Sequence, residues 1–191
     1  MKLTSFIVVL LVVVFSCTRK LGSNQPKIGY TGSDSLTKSI ALKEKSLKNY
    51  YHNLMADENS IDSLPNQLIN SLLKEYQLYY KTYPEDSLSP YYVDKIHQLF
   101  TQEKQYTYAV DWVDTLLDHY PNYSNKSLVL YSAATTSDLY LLDSNRVKKY
   151  YNRMLNECPK LKNQVKNQIS HRLKYIEIPY LEYIEKKHFL K

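Results

Sequence analysis

Residues 89–121 read SPYYVDKIHQLFTQEKQYTYAVDWVDTLLDHYP, and this stretch decides the fold. Ser89-Pro90 makes an N-cap and first-turn pair: the cap side chain can accept a helix N–H, and proline has no N–H to lose there. Val93, Ile96, Leu99 and Phe100 then recur at the three- and four-residue steps that line up side chains on one helical face. The chain turns through Glu103-Lys104-Gln105-Tyr106, after which Ala109, Val110, Val113, Leu116, Leu117 and Tyr120 form a second stripe. Pro121 ends it, because proline cannot continue a helix interior. The segment is a pair of amphipathic helices. Neither helix can hide its stripe alone, so each must pack on its neighbours.

The same pattern extends in both directions. Upstream, Pro65 opens a helix carrying Leu64, Leu68, Leu72, Tyr76 and Tyr80, widened by Ile69 and Leu73 and closed at Pro84. An earlier helix carries Ile40, Leu47, Tyr50, Tyr51 and Leu54. Downstream, a helix is expected over Asn125–Leu142. Asp143 or Ser144 caps the next, which bears Val147, Tyr150, Tyr151, Met154 and Leu155 and ends at Pro159. The last runs through Leu161, Val165, Ile169, Leu173 and Ile176, with Pro179 bending or splitting it before Tyr180, Leu181 and Ile184. No glycine occurs from Ser33 to Lys191. Phosphate-cradling loops, nucleophile elbows and tight hairpins lose their usual sequence signals, and the expected class is all-α.

Pro84, Pro121 and Pro159 stand 37 and 38 residues apart. Ala109 and Val113 lie 12 and 8 residues before Pro121, and Val93, Ile96 and Phe100 precede them at the first-helix positions. That unit resembles a tetratricopeptide repeat. Val147, Tyr151 and Pro159, with Tyr131 and Ala134, make a second match, and Leu72, Tyr76 and Pro84 the end of a more degenerate one. The family unit is about 34 residues, so the loops after Pro84 and Pro121 carry short insertions, which cost little closure entropy. His97 and Thr135 replace the usual small residue of the first helix. The resemblance implies a short α-solenoid of antiparallel helix pairs over roughly 36–160, with 161–188 as a capping helix. It also implies a partner-binding inner wall drawn from the first helix of each pair. That nominates Tyr91, Asp94, Gln98 and Gln102 in one unit and Ser132, Thr136 and Tyr140 in the next.

The chain opens on Lys2 and the apolar run Phe6–Phe15, then Ser16-Cys17. A bilayer-spanning helix needs roughly 20 apolar residues, about twice this run. Val14-Phe15-Ser16-Cys17 resembles the lipobox of bacterial lipoproteins, with Phe15 bulkier than usual for its place. The resemblance implies removal of residues 1–16, acylation of Cys17 and a membrane anchor made of lipid chains. Residues 17–35, polar and containing serines and all three glycines, Gly22, Gly29 and Gly32, read as a flexible tether, and 36–188 as the helical domain. Thr18-Arg19-Lys20 carries no acidic residue, and by the lipoprotein resemblance, in which Asp after the cysteine retains at the inner membrane and early acidic clusters mark surface export, this implies the periplasmic face of an outer membrane.

Export makes nucleic acid a poor partner for the net charge of +6, and the lysines are scattered. Cys158 is left without an intramolecular partner once Cys17 is acylated, and reads as a packed thiol. The histidines His52, His97, His119, His171 and His188 show no metal-ligand spacing, no cofactor motif appears, and no carboxylate pair stands apart from solvated helix faces. The expectation is a binding protein, without metal or cofactor, rather than an enzyme. Twenty tyrosines are the anomaly of the composition. The doublets Tyr50-Tyr51, Tyr79-Tyr80, Tyr91-Tyr92 and Tyr150-Tyr151 should each put one ring into an interface and one partly outside, offering anchors for a protein partner or stacking surfaces for a glycan. Asp34-Ser35-Leu36, Asp62-Ser63-Leu64, Asp86-Ser87-Leu88 and Asp114-Thr115-Leu116 resemble O-glycosylation triplets, though the first three also suit helix caps.

Overall fold

The computed structural model describes residues 31–56, 66–186 and 189. Cys17 and the leader, most of the tether, Leu64-Pro65, the Asp62 triplet, His188 and the side chain of Leu54 lie outside the described residues. Within them are eight α-helices and no strand: α1 Thr31–Ala56, α2 Asn66–Thr82, α3 Ser89–Gln102, α4 Tyr106–His119, α5 Lys126–Thr136, α6 Ser144–Glu157, α7 Asn163–Lys174 and α8 Tyr180–Lys186. The all-α class stands. α1 begins at Thr31, ahead of the apolar stripe that starts at Leu36, with Asp34 in its first turn and Thr37 Oγ1 donating to Asp34 O at 3.2 Å.

Consecutive helices pack on one another from α2 through α7, so spatial order follows chain order. One core gathers Ile40 and Leu47 of α1, Ile69, Leu72, Tyr76 and Tyr79 of α2, and Tyr92, Ile96 and Leu99 of α3. A second gathers Val110, Val113, Leu116 and Leu117 of α4, Val129, Leu130, Ala133 and Ala134 of α5, Val147, Tyr150 and Met154 of α6, and Ile169 of α7. Trp112 packs against both and makes them continuous. Burial of these aliphatic side chains is the main favourable term, roughly 1.5–3 kcal/mol for each fully buried Val, Leu or Ile.

Alternate helices also touch, and the spacing of those contacts repeats. On α4, Asp111, Asp114 and Asp118 pair with Arg146, Lys149 and Arg153 of α6, at 3.1, 2.8 and 3.7 Å. Tyr120 donates to the carbonyl of Pro84 across 36 residues, at 2.7 Å. His97 reaches Ser132 across 35. The three ion pairs are exposed and worth at most about 1 kcal/mol each. Their value here is as a register mark: successive helix pairs are laid side by side at a step close to the proline spacing.

Helix ends depart from expectation in two places. Leu88, not Ser89, occupies the N-cap of α3; Ser89 is fully buried and its hydroxyl donates to Tyr83 O, while the Asp86 carboxylate accepts the Leu88 N–H at 2.8 Å. Asp143 caps α6 as expected, accepting the N–H groups of Asn145 and Arg146 at 3.0 Å. α5 stops at Thr136 and continues as a π-turn, Ser137–Leu141, which the sequence pattern did not announce. Two turns take left-handed backbone without glycine: Lys104 at φ 58° and Leu142 at φ 51°. Such a residue costs about 1–2 kcal/mol. Both end helices, where the left-handed conformation lets the following N–H groups reach back: Gln105 to Phe100 O, and Asp143 to Ser137 O.

The tyrosine doublets follow the expected division at Tyr91-Tyr92, where Tyr92 is buried and Tyr91 is 39% exposed, and at Tyr79-Tyr80. Tyr150-Tyr151 does not: both rings are buried, because α6 is packed against α5 on one side and α7 on another. Cys158 lies in the second core, and burial raises its thiol pKa above the usual value. Of the glycosylation triplets, Asp114-Thr115-Leu116 sits inside α4 with Thr115 Oγ1 donating to Asp111 O.

Candidate functional site

His97 shows how α3, α4 and α5 are held together. It stands where the repeat pattern expects a small residue and is 3% exposed. Its Nδ1 lies 3.1 Å from Ala109 O; a carbonyl only accepts, so Nδ1 carries the proton. The neutral ring then leaves Nε2 to accept from Ser132 Oγ, also at 3.1 Å. The bulky side chain thus replaces close backbone contact with two hydrogen bonds to neighbouring helices. Burial lowers its pKa, opposed by the nearby Asp94 charge and by the Ala109 bond. A histidine depressed in the folded state contributes stability above the unfolded-state value of about 6.5 and loses it as pH falls below that. The urea midpoint should therefore decline from pH 7 to pH 5, and His97→Gln should flatten that decline while lowering the midpoint at pH 7.

One turn earlier on α3, Asp94 is 7% exposed. Its Oδ2 accepts from the Tyr123 hydroxyl at 2.8 Å, while its Oδ1 is enclosed with no hydrogen-bond partner among the described residues. Tyr123 comes from the connection between α4 and α5. On the other side stands Tyr91, whose ring feels both Asp94 and Glu44 of α1. Glu44 Oε1 accepts from Tyr76 at 2.7 Å and makes a long contact with the Tyr91 hydroxyl at 3.5 Å. Burial, then the neighbouring carboxylate, raises the pKa of Tyr76, Tyr91 and Tyr123, so all three phenols remain donors at neutral pH. Two carboxylates and three phenols are thus collected from α1, α2, α3 and a loop. Among the described residues neither carboxylate forms an ion pair. Lys95 instead bonds Gln98 Oε1 at 3.2 Å, with its ammonium 5.3 Å from the centre of the Tyr91 ring.

The seven nominated residues separate. Tyr91 and Asp94 join in this cluster. Gln98 is half-buried beside them, and Gln102 accepts from Tyr51 of α1 at 3.2 Å. Ser132 is engaged by His97. Thr136 is buried at 4%, which withdraws it from any partner: the π-turn after it packs against α4, α6 and α8 and encloses that end of α5. Asp94, at 7%, is buried too, but it stands beside Tyr91, which is 39% exposed, and keeps Oδ1 without a donor among the described residues. Tyr140 is half-exposed but stacks on Tyr106 at 4.1 Å between centroids, away from the carboxylates' partners. Glu44 and Tyr123 were not nominated. Their roles arise from contacts across 47 and 29 residues, which no local spacing announces.

Among the described residues no group of three acidic, histidine or cysteine side chains is arranged to hold a metal, and no helix is long and apolar enough to cross a membrane. No protein-family model, curated protein or solved structure matches the chain.

Proposed function

We propose that this chain is a lipid-anchored lipoprotein of the bacterial envelope, moored through Cys17 at the periplasmic face of an outer membrane, whose tetratricopeptide-like helix pairs hold a protein or peptide partner. The observation that carries the reading is the lateral joining of alternate helices: Glu44 to Tyr91, Tyr51 to Gln102 and His97 to Ser132 set α1, α3 and α5 beside one another. A face made this way offers half-exposed Tyr91 and Gln98, the kind of surface on which an extended segment docks. Lipidation rests on Ser16-Cys17 after the apolar run.

Photo-crosslinkers placed at Tyr91 or Gln98 in living cells should give a discrete protein adduct, while one at Asp118, on the outer side of α4, should not. Equal labelling at all three positions counts against the face. Cys17→Ala should move the protein to the soluble fraction; retention at the membrane counts against the anchor.

A second reading, a glycan-capture accessory protein, is favoured by one observation. A shallow cavity of about 240 Å³ is lined by Lys104, Gln105, Tyr106, Thr107, Tyr108 and Leu141, beside the stacked Tyr106–Tyr140 pair. Aromatic faces with neighbouring amide and hydroxyl groups suit a sugar ring, and oligosaccharides should then quench tyrosine fluorescence in a way that Tyr106→Ala abolishes.

A further inference from the structure

We propose that Glu44 and Asp94, walled by Tyr91 and Tyr123, receive the cationic head of an arginine or lysine side chain presented by the partner. The inference rests on the docking reading above and specifies the chemistry at its centre.

Three observations converge. In a protein of net charge +6, Glu44 and Asp94 both act on the Tyr91 side chain, and neither forms an ion pair among the described residues. Asp94, more than nine-tenths buried, keeps Oδ1 without a donor, a state that is unfavourable until a donor arrives. The Tyr91 ring, which feels both carboxylates, is itself 39% exposed and so marks the way in from solvent.

The chemistry of the walls selects the occupant. A metal ion would call for more oxygen ligands than two carboxylates and neutral phenols supply, and none of the described residues forms such a group. Guanidinium and ammonium groups need fewer: they donate several hydrogen bonds to carboxylate oxygens and gain from an aromatic face alongside. Entry of a donor to Asp94 Oδ1 requires side chains around it to turn aside, and Tyr123, held to Oδ2 from a loop, is the one bonded to the same carboxylate. Lys95, whose ammonium bonds Gln98 and lies 5.3 Å from the Tyr91 ring centre, pairs with neither carboxylate among the described residues, and the incoming cation must share or take that ring. The overall positive charge works against diffuse attraction of a basic segment, so binding of one would report this local site.

The test uses detergent-solubilised full-length protein and fluorescein-labelled octapeptides of serine and alanine carrying either two arginines or two citrullines, followed by anisotropy. The arginine peptide should bind at least tenfold more tightly. Glu44→Gln, alone and with Asp94→Asn, should bring it to the level of the citrulline peptide while the helical circular dichroism is kept. Glu44→Lys, which supplies an internal ammonium, should do the same. Equal binding of the two peptides, or full binding by folded variants, overturns the proposal. Spermidine displacing the arginine peptide, with the Gln98 crosslink unaffected, would assign the site to a free polyamine and overturn the partner side chain. A Gln98 adduct surviving in Glu44→Gln/Asp94→Asn sinks this inference and leaves the docking face standing. Arginine selectivity with no adduct at Gln98 in wild-type cells sinks the docking reading instead.

Discussion

Raising the pH from 10 to 12 should unfold this protein cooperatively, with a midpoint between pH 11 and 12. Tyr76, Tyr79, Tyr92, Tyr150 and Tyr151 are each 5% exposed or less, and burial raises every one of their pKa values well above the usual 10. Half-buried Tyr51 is pushed up to about 12, first by burial and then by Glu103. Groups raised in the folded state contribute stability that is complete below their unfolded value and lost as pH climbs towards the folded one. Above pH 10 the unfolded chain releases these protons while the folded chain keeps them. Each buried phenol then costs about 1.4 kcal/mol per pH unit, or about 7 kcal/mol per unit for five. Domain stabilities of about 5–15 kcal/mol are exhausted within one to two units. Helical circular dichroism and phenolate absorbance should change together. Phenolate formation completed while the helices persist would contradict the burial of these rings.

Arg172→Met should destabilise the protein by about 3–5 kcal/mol, because it strands a carboxylate in the interior. Arg172 and Asp138 are 4% and 5% exposed. The guanidinium meets the carboxylate in a two-pronged bond, Nε to Oδ2 at 2.8 Å and an Nη to Oδ1 at 2.7 Å. Its remaining donors reach the carbonyls of Tyr175 and Ile178, and its Cζ lies 4.9 Å from the Tyr183 ring centre. One side chain therefore gathers the π-turn, the end of α7, the following loop and α8. At roughly 2–4 °C per kcal/mol, melting should fall by about 10 °C, with cleavage around 175–183 appearing first in limited proteolysis. Asp138→Leu combined with Arg172→Met should recover most of the loss, since a buried ion pair is often no better than matched apolar groups. A single-variant effect below about 1 kcal/mol would show that water reaches the pair.

The helices were legible because their signals are local. Stripes such as Val110-Val113-Leu117 set the faces, and Pro84, Pro121 and Pro159 set the stops. The order of packing followed from the spacing of those prolines. What escaped lay in side chains that act across the repeat. Asp138 and Arg172 look like ordinary solvated charges on helical surfaces until the π-turn rotates one towards the other. Ser89 looks like a cap, but it lies just inside a helix whose N-cap is Leu88 and whose start has no capping side chain, and its hydroxyl bonds Tyr83 O instead. At the candidate site, the helical spacing puts Tyr91, Asp94 and Gln98 on neighbouring positions of α3, and Tyr91 and Asp94 do meet there, with Asp94 buried. Glu44 and Tyr123 could not be placed this way, because their meeting depends on how successive helix pairs are laid against one another.

The missing glycines act most strongly on the molecule when it is not folded. A melted backbone from Ser33 to Lys191 explores fewer conformations than one of ordinary composition, at about 0.4–1 kcal/mol for each glycine replaced by alanine at a compatible site. Less disorder is surrendered on refolding. That smaller entropic penalty sets a margin against which the left-handed turns at Lys104 and Leu142 can be tolerated.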